Sequence, residues 1–295
     1  MTAYEFDWVD AFTDRPFGGN GCAVFHDAAG LDGDTCMAIV RETSLVECTF
    51  LGPSDVADVK VRYFLASREI PFAGHPTIAT VAALFGRGLA GEGRITLETG
   101  AGIVPVEIAA GAGGGATFTM TQVAPSFGAI APRALVAAVG GVDPEDIVAD
   151  PQLVSTGLPF VVTVLRDHDA LGRLRLDPGA LRELARHMGF SGIDMAEPYW
   201  ITLRGATDAG RTFGRLLLAP PSVPEDPFTG SATGAAASYL WQHGLIESPR
   251  YIAEQGHWMG RPGQATVEVL GAPGAISGVR IGGLARVLMQ GTIRP

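Results

Sequence analysis

The first part of the chain alternates short apolar stretches with turn residues, a pattern that predicts strands around one helix. The strand-like stretches are "YEFDWVDAFT", "GCAVFH", "ECTFLG" and "VKVRYFL", and the helix-like stretch is "DTCMAIVRET". Further along, "TIATVAALFGRG" has apolar residues at helical spacing and ends in glycines, which predicts a buried helix beginning near Gly74 and His75. Strands resume in "RITLETGAGIVPVEI" and "GATFTMTQ", with residues 111–115 as the turn between them.

The second part of the chain repeats this alternation. "PRALVAAVG" and "GALRELARHMG" read as helices, and "DPQLVSTGLPFVVTVL" and "PYWITLRG" read as strands. "VRIGGLARVLMQGTI" reads as paired strands that turn at Gly282 and Gly283. Composition changes at residues 123–132, which we interpret as a linker. The predicted lobes are residues 1–122, completed by strands from about 279–295, and residues 133–278.

One phrase occurs twice, 156 residues apart: "EIPFAGHPTIATVAAL" at 69–84 and "EDPFTGSATGAAASYL" at 225–240. Seven of the sixteen aligned positions are identical, including Gly74 with Gly230. Each copy is a loop that ends in glycine and leads into an Ala-rich helix. The repeat favours two related lobes, although chance similarity in an Ala/Gly-rich chain is the alternative.

The repeated glycine suggests a binding site for an anion. Backbone N–H groups at a helix N-terminus have no intrahelical partner, and the helix dipole favours negative charge there. Two such N-termini facing each other would form a cleft for a carboxylate. We therefore expect a β-branched residue at Gly230 to weaken binding more than it disturbs folding.

Several polar residues near the repeat are candidates for chemistry, and each has a structural alternative. Asp226 precedes Pro227, the pattern of a helix N-cap. His75 corresponds to Ser231 of the second copy, and its ring can equally be tied to a backbone carbonyl. Glu47 lies in the otherwise apolar or small "SLVECTF" and can simply point to solvent. Cys48, without a neighbouring His, is more typical of a buried thiol than of a nucleophile.

Composition narrows the class of protein. The 295 residues include 31 acidic and 21 scattered basic residues, so no cationic stripe for nucleic acid or anionic membrane is expected. The N-terminal stretch is not a secretory signal and no apolar run reaches membrane-spanning length, which predicts a cytoplasmic protein. Three cysteines without C-x-x-C spacing, and six histidines, form no metal-ligand pattern. We expect a small-molecule partner.

The motifs together resemble the PhzF-like phenazine-biosynthesis isomerase family. The motifs that carry the resemblance span nearly the whole chain: "DAFTDRPFGGNGCAVF", Glu47 in "ECTF", "PFAGHP", "STGLPF", "EDPFTGSATG", "QGHWMGRPG" and "VRIGGLARVLMQG". The resemblance implies an α+β, diaminopimelate-epimerase-like fold of two similar lobes, each a mostly antiparallel sheet wrapped around a central helix. The active site would lie between the lobes.

The resemblance also implies roles for individual residues. Glu47 would shuttle a proton and Asp226 would assist from the opposite lobe. The substrate, a small carboxylate, would be bound by five residues: Asn20, Gly74, His75, Gly230 and Ser231. No cofactor or metal is implied, and a homodimer is expected for this family.

Residue chemistry distinguishes this chain from racemases of the same fold, which use two thiols just before the two glycines. Ala73 and Thr229 occupy those places, and neither is a thiol base. The chain also departs from the family pattern, which leaves the identity of the substrate open. The departures are Gly21 in place of Pro, Val46 before Glu47, "FLASRE" without Thr-Pro, and the bulkier Phe228.

The predicted function is a cofactor-independent isomerase in which a carboxylate with a raised pKa removes and returns a proton. Two alternatives stay open. A lyase would use Glu47 to start the loss of a hydroxyl group. A binding protein would keep the cleft and lack catalysis.

Overall fold

The computed structural model describes residues 2–111, 115–190 and 197–295. The helices in these ranges are α1 (Gly33–Thr43), α2 (Gly74–Gly86), α3 (Arg133–Gly140), α4 (His168–Arg173), α5 (Pro178–His187) and α6 (Gly230–Gln242). The strands of the first half are β1 (Tyr4–Ala11), β2 (Asn20–Phe25), β3 (Cys48–Gly52), β4 (Val59–Phe64), β5 (Glu69–Ile70), β6 (Gly93–Thr99), β7 (Gly102–Ala110), β8 (Ala116–Gln122) and β9 (Ser126–Ile130). Those of the second half are β10 (Gln152–Ser155), β11 (Pro159–Val164), β12 (Pro198–Thr202), β13 (Thr212–Leu217), β14 (Glu225–Asp226), β15 (Arg250–Gln255), β16 (Gly263–Leu270) and β17 (Gly278–Ile293).

The strands around α2 form a closed, barrel-like circuit. Pairing runs from β1 through β2, β3, β4, β6, β7, β8 and β17 back to β1. The helix α2 packs against β1, β2, β3, β8 and β17. Its residues from Gly74 to Leu84 are all buried, which explains why small and apolar residues cover every face of this helix.

The strands around α6 form an open row. It runs through β9, β10, β11, β12, β13, β15, β16 and β17. The helix α6 packs against β10, β11, β16 and β17 and is buried from Gly230 to Leu240. Most strand pairs of the fold are antiparallel; the pairs β2–β3, β4–β6, β11–β12 and β13–β15 are parallel.

The C-terminal segment differs from its sequence prediction. No turn occurs at Gly282 and Gly283, because β17 is one continuous strand that pairs with β1, β8 and β16. A Cβ atom at Gly282 would lie 2.7 Å from the Thr266 hydroxyl and 2.8 Å from the Thr119 hydroxyl, and one at Gly283 would lie 2.5 Å from the ring of Phe12. These glycines therefore allow close packing across a strand.

The mixture of strands and helices is confirmed, and the predicted helices correspond to α1, α2, α3, α5 and α6. The short helix α4 was not predicted. The segment 123–132, predicted as a linker, contains β9, which pairs with β10. The centre of the predicted turn at residues 111–115 lies outside the described residues. The division into two lobes stays a prediction.

The helices differ in how their N-termini are capped. Asp32, Asp167 and Asp177 accept hydrogen bonds from backbone N–H groups at the starts of α1, α4 and α5. The N-cap residues of α2 and α6 are Ala73 and Thr229, and neither makes a side-chain cap hydrogen bond. The two repeated helices thus begin with backbone donors that no N-cap side chain satisfies.

Candidate active site

The repeated glycines meet directly. A Cβ atom on Gly74 would lie 2.8 Å from the backbone nitrogen of Ser231 and 3.1 Å from the Cα of Gly230. On the far side, the carbonyl of Gly230 accepts a hydrogen bond of 2.9 Å from Gln122, whose amide oxygen accepts one of 2.6 Å from Thr156. The N-termini of α2 and α6 therefore touch, and Gly74 is what lets them approach so closely.

Four candidate residues are linked in one cluster beside this contact. The Asn20 side-chain nitrogen at the start of β2 lies 2.6 Å from the Asp226 carboxylate in β14 and 2.9 Å from the Phe228 carbonyl. The same nitrogen is 3.0 Å from Nδ1 of His75, which in turn is 3.5 Å from the Glu47 carboxylate just before β3. Residues far apart in the sequence thus form a continuous polar chain, and Glu47 is its most exposed member at 12%.

Asp226 does not cap a helix. It lies in β14, and α6 begins at Gly230 after the N-cap residue Thr229. The Asp226 side chain instead accepts a hydrogen bond of 2.5 Å from the Thr229 hydroxyl, besides the one from Asn20. The N-cap interpretation of the Asp-Pro pair is therefore wrong.

The two carboxyl groups have unusual proton affinities. Burial raises the pKa of Asp226 to about 7, although the hydrogen bonds from Thr229 and Asn20 act in the opposite direction. Burial also raises the pKa of Glu47 well above its ordinary value, and the negative charge of Asp226 raises it further. Donors face both Asp226 oxygens, whereas among the described residues the polar contact of the Glu47 carboxylate is that with His75, so Asp226 ionises before Glu47.

His75 is neutral in this environment. Burial lowers the pKa of His75 to about 3, so its 3.5 Å contact with Glu47 is a polar contact and not an ion pair. Its Nδ1 contacts the Asn20 amide, and a hydrogen bond with the Gly21 backbone acts on the pKa of the ring in the opposite direction to burial, so the ring has both a side-chain and a backbone partner. Its buried Nε2 has no hydrogen-bond partner among the described residues. Such an atom costs about 1–3 kcal/mol unless a ligand satisfies it.

The raised pKa of Asp226 predicts that Asp226→Asn changes how the stability of the protein depends on pH. A carboxyl whose folded pKa exceeds its ordinary 3.8 contributes stability that is complete below about 3.8 and lost as the pH rises through about 7. The free energy of unfolding of the variant, relative to that of the wild type, should therefore gain on the order of a few kcal/mol between about pH 4 and about pH 8. Urea titrations at both pH values, with the exposed Asp208→Asn as control, measure this. Equal gains at the two pH values would contradict it.

An ion pair that the sequence did not suggest holds the loop before Asn20. Arg261 contacts the buried Asp10 carboxylate at 2.7 Å and donates hydrogen bonds of 3.0 Å to the carbonyls of Gly18 and Gly19. These Arg261 contacts join the motifs "QGHWMGRPG" and "DAFTDRPFGGNGCAVF", since Arg261 and Gly19 are 242 residues apart. They fix the backbone from which Asn20 extends.

Phe228, one of the departures from the family pattern, is fully buried and stacks on Phe12 with ring centroids 4.5 Å apart. A Cβ atom on Gly263 would lie 2.7 Å from the Phe228 ring. The bulk of Phe228 therefore fills the core between Phe12 and β16 rather than lining the Asp226 cluster.

The thiols are poor nucleophiles. Cys22, Cys36 and Cys48 are free and buried. Burial raises the pKa of Cys48 to about 12, which agrees with a structural thiol. Among the described residues no group of three or more His, Cys, Asp or Glu side chains is arranged to hold a metal ion.

A groove of about 750 Å3 lies beside the cluster and not in it. Glu225 lines the groove and pairs with Arg215 at 2.6 Å, whereas the next residue, Asp226, is buried. The other lining residues are His168, Asp169, Gly172, Arg173, Arg175, Trp258 and Met259. Gly74 and Gly230 do not line this groove, and α2 and α6 are in contact with each other at these glycines; the cleft between them stays a prediction.

Carboxyl groups with raised pKa values cluster at functional sites, which makes this buried pair the candidate active site. A sequence model described as phenazine biosynthesis-like protein (PhzC-PhzF) matches residues 9–291, and the chain belongs to this family. It is an isomerase of the PhzF type. None of the helices in the described ranges is long and apolar enough to cross a membrane.

Relatives and solved structures cover the chain from end to end. An uncharacterized isomerase of Mesorhizobium japonicum is 34% identical, with 99% of both chains covered. The trans-2,3-dihydro-3-hydroxyanthranilate isomerase of Pseudomonas fluorescens is 33% identical, with 97% of both covered. The solved structure of a PhzF-family phenazine biosynthesis protein from Bacillus anthracis has a TM-score of 0.88 at 26% identity over 100% of both chains.

Proposed function

We propose that this isomerase moves a proton on a small carboxylate-bearing metabolite, with Glu47 as general acid/base and Asp226 as its partner. The observation that carries the proposal is the buried cluster itself. Two carboxyl groups 179 positions apart (226 − 47) are linked there through Asn20 and His75, and burial raises the pKa of both.

The reaction balances without a cofactor. The ionised Glu47 takes a proton from one carbon, the electron pair of the broken C–H bond shifts along the conjugated substrate, and Glu47 returns the proton to another carbon. A carboxyl group with a raised pKa suits both halves, because it is a better base when ionised and still an acid when protonated. Asp226, which ionises first, would polarise the substrate and set the proton affinity of Glu47.

The remaining candidates would bind the substrate. Nε2 of His75 would meet a polar group of the substrate, and the uncapped N-termini of α2 and α6 at Gly74, Gly230 and Ser231 would attract its carboxylate. This proposal includes two related lobes, one around α2 and one around α6, with the active site between them.

Solvent deuterium tests this function. With trans-2,3-dihydro-3-hydroxyanthranilate, the substrate named for the P. fluorescens relative, as first probe, we expect deuterium at carbon in D2O and a product of unchanged mass in H2O. A product lighter by one water would identify a lyase instead. Absence of exchange with a panel of small carboxylates would support a binding protein.

Dialysis against a chelator should leave the exchange rate unchanged, and a loss restored by a divalent ion would overturn the metal-free chemistry.

A further inference from the structure

The side chain of Gln255, at the end of β15, is fully buried and uses every hydrogen-bonding position of its amide. Its oxygen accepts from the Thr229 backbone nitrogen at 3.1 Å and from the Tyr199 hydroxyl at 3.0 Å. Its nitrogen donates to the Asp226 carbonyl at 2.7 Å and to the Thr229 hydroxyl at 3.2 Å. A backbone donor on one side and a backbone acceptor on the other fix the orientation of this amide.

The fixed amide determines where the Thr229 hydroxyl hydrogen goes. The Thr229 oxygen receives a hydrogen from Gln255, which can only donate on that side. Its other contact is the Asp226 carboxylate oxygen Oδ2 at 2.5 Å, which is left to accept the hydroxyl hydrogen. The second carboxylate oxygen, Oδ1, accepts from Asn20. Both oxygens of Asp226 are thus placed as acceptors, which favours the ionised form.

We propose that Thr229, held by Gln255, is a positioning residue that keeps Asp226 ionised, so that Glu47 and not Asp226 is the carboxyl group that takes and returns the proton. The assignment deepens the proposed function and rests on it for the role of Asp226. It also assigns a role to Thr229 as the residue that precedes Gly230, the second repeated glycine. In this chain the Thr229 hydroxyl serves the neighbouring carboxylate rather than acting on the substrate.

Other titratable and charged groups around Asp226 also affect its protonation, so these residues must stay unchanged in the variants that are compared. They come from the loop before β3, from α2, from β12 and from β14 with its ion-pair partner in β13: Glu47, His75, Tyr199, Glu225 and Arg215. The Thr229 hydroxyl does not cap α6, so its removal leaves the backbone hydrogen bonds of the helix intact.

The test measures the ionisation of Asp226 directly, without turnover. In protein labelled with 13C at the Asp side-chain carboxyl, the NMR signal of Asp226 is identified by its loss in Asp226→Asn, and its midpoint is followed against pH. Thr229→Val, which keeps the shape and lacks the donor, should raise this midpoint by about one pH unit or more. Thr229→Ser, which keeps the donor, should retain the wild-type midpoint.

The outcomes separate this proposal from the proposed function. An unchanged midpoint in Thr229→Val, or the same rise in Thr229→Ser, overturns the role of Thr229 whatever the activity. If Thr229→Val does not fold, Thr229→Ala provides the same comparison without the added methyl groups. Loss of exchange in Glu47→Gln bears only on the proposed function. An apparent pKa of the pH–rate profile that shifts in Thr229→Val and has its wild-type value in Thr229→Ser would support the proposal independently.

Discussion

Glu47→Gln is expected to lower turnover by about a thousandfold or more and to leave the fold intact. Gln keeps the shape of the side chain and its contact with His75 while removing the group that takes and returns the proton. General acid–base catalysis contributes about 10²–10⁴-fold, and here the same group serves both steps. Because the carboxyl is buried with a raised pKa, its neutral substitute should not destabilise the protein.

The measurement is deuterium incorporation into substrate and product, with circular dichroism and thermal unfolding as checks of the fold. Glu42→Gln is the matched control, since Glu42 lies exposed on α1 five residues away and should retain the full rate. A near-normal rate in Glu47→Gln would show that another group moves the proton.

Gly74→Ala is expected to lower the free energy of unfolding by about 1–3 kcal/mol, and Gly74→Val should prevent folding. The added Cβ atom would lie 2.8 Å from the Ser231 backbone nitrogen, which is fixed within the N-terminus of α6. Two buried helices would have to separate to make room, and both belong to the core. Urea unfolding of the purified variants measures the loss.

Two further glycines calibrate this effect. Gly91→Ala is the control, because a Cβ atom there meets nothing within 4 Å. The loss in free energy of unfolding in Gly230→Ala should lie between those of Gly74→Ala and Gly91→Ala. Its Cβ would lie 3.0 Å from the ring of Phe12 and 3.2 Å from Met120, and both are side chains that can shift. The expectation that a β-branched residue at Gly230 affects binding more than folding stays a prediction, to which the contacts with Phe12 and Met120 add a cost in folding. A Gly74→Ala variant as stable as Gly91→Ala would contradict the packing role.

The local pattern of apolar and turn residues was sufficient to predict most helices and strands. Apolar spacing predicted the main helices, and the repeated phrase singled out α2 and α6, whose N-termini are in contact. It was not sufficient for β17, because Gly282 and Gly283 have the composition of a turn. What keeps them extended is the pairing of β17 with β8 and β16, and crowding by the distant Thr266, Thr119 and Phe12 explains why both positions are glycine.

The site was predictable only in part. Glu47 and Asp226 were identified by their motifs, but Thr229 and Gln255 were not assigned to the site. Gln255 closes the strand segment "RYIAEQ", where a polar residue at a strand end carries no special signal. Its importance comes from full burial and from bonds to residues 26 and 29 positions away. The cap interpretation of Asp226 failed because Asp226 lies in β14 and α6 begins only at Gly230, so that its carboxylate accepts hydrogen bonds from Thr229 and the distant Asn20 instead.

The long strand β17 makes assembly depend on the order of synthesis. Strands β1 and β8 can emerge from the ribosome early, yet the circuit around α2 closes only when residues 278–293 are present. Until then β1 and β8 each lack a neighbour on one edge, and unpaired strand edges of this kind promote association with other chains. A growing chain is therefore exposed to association with other chains until residues 278–293 have been translated.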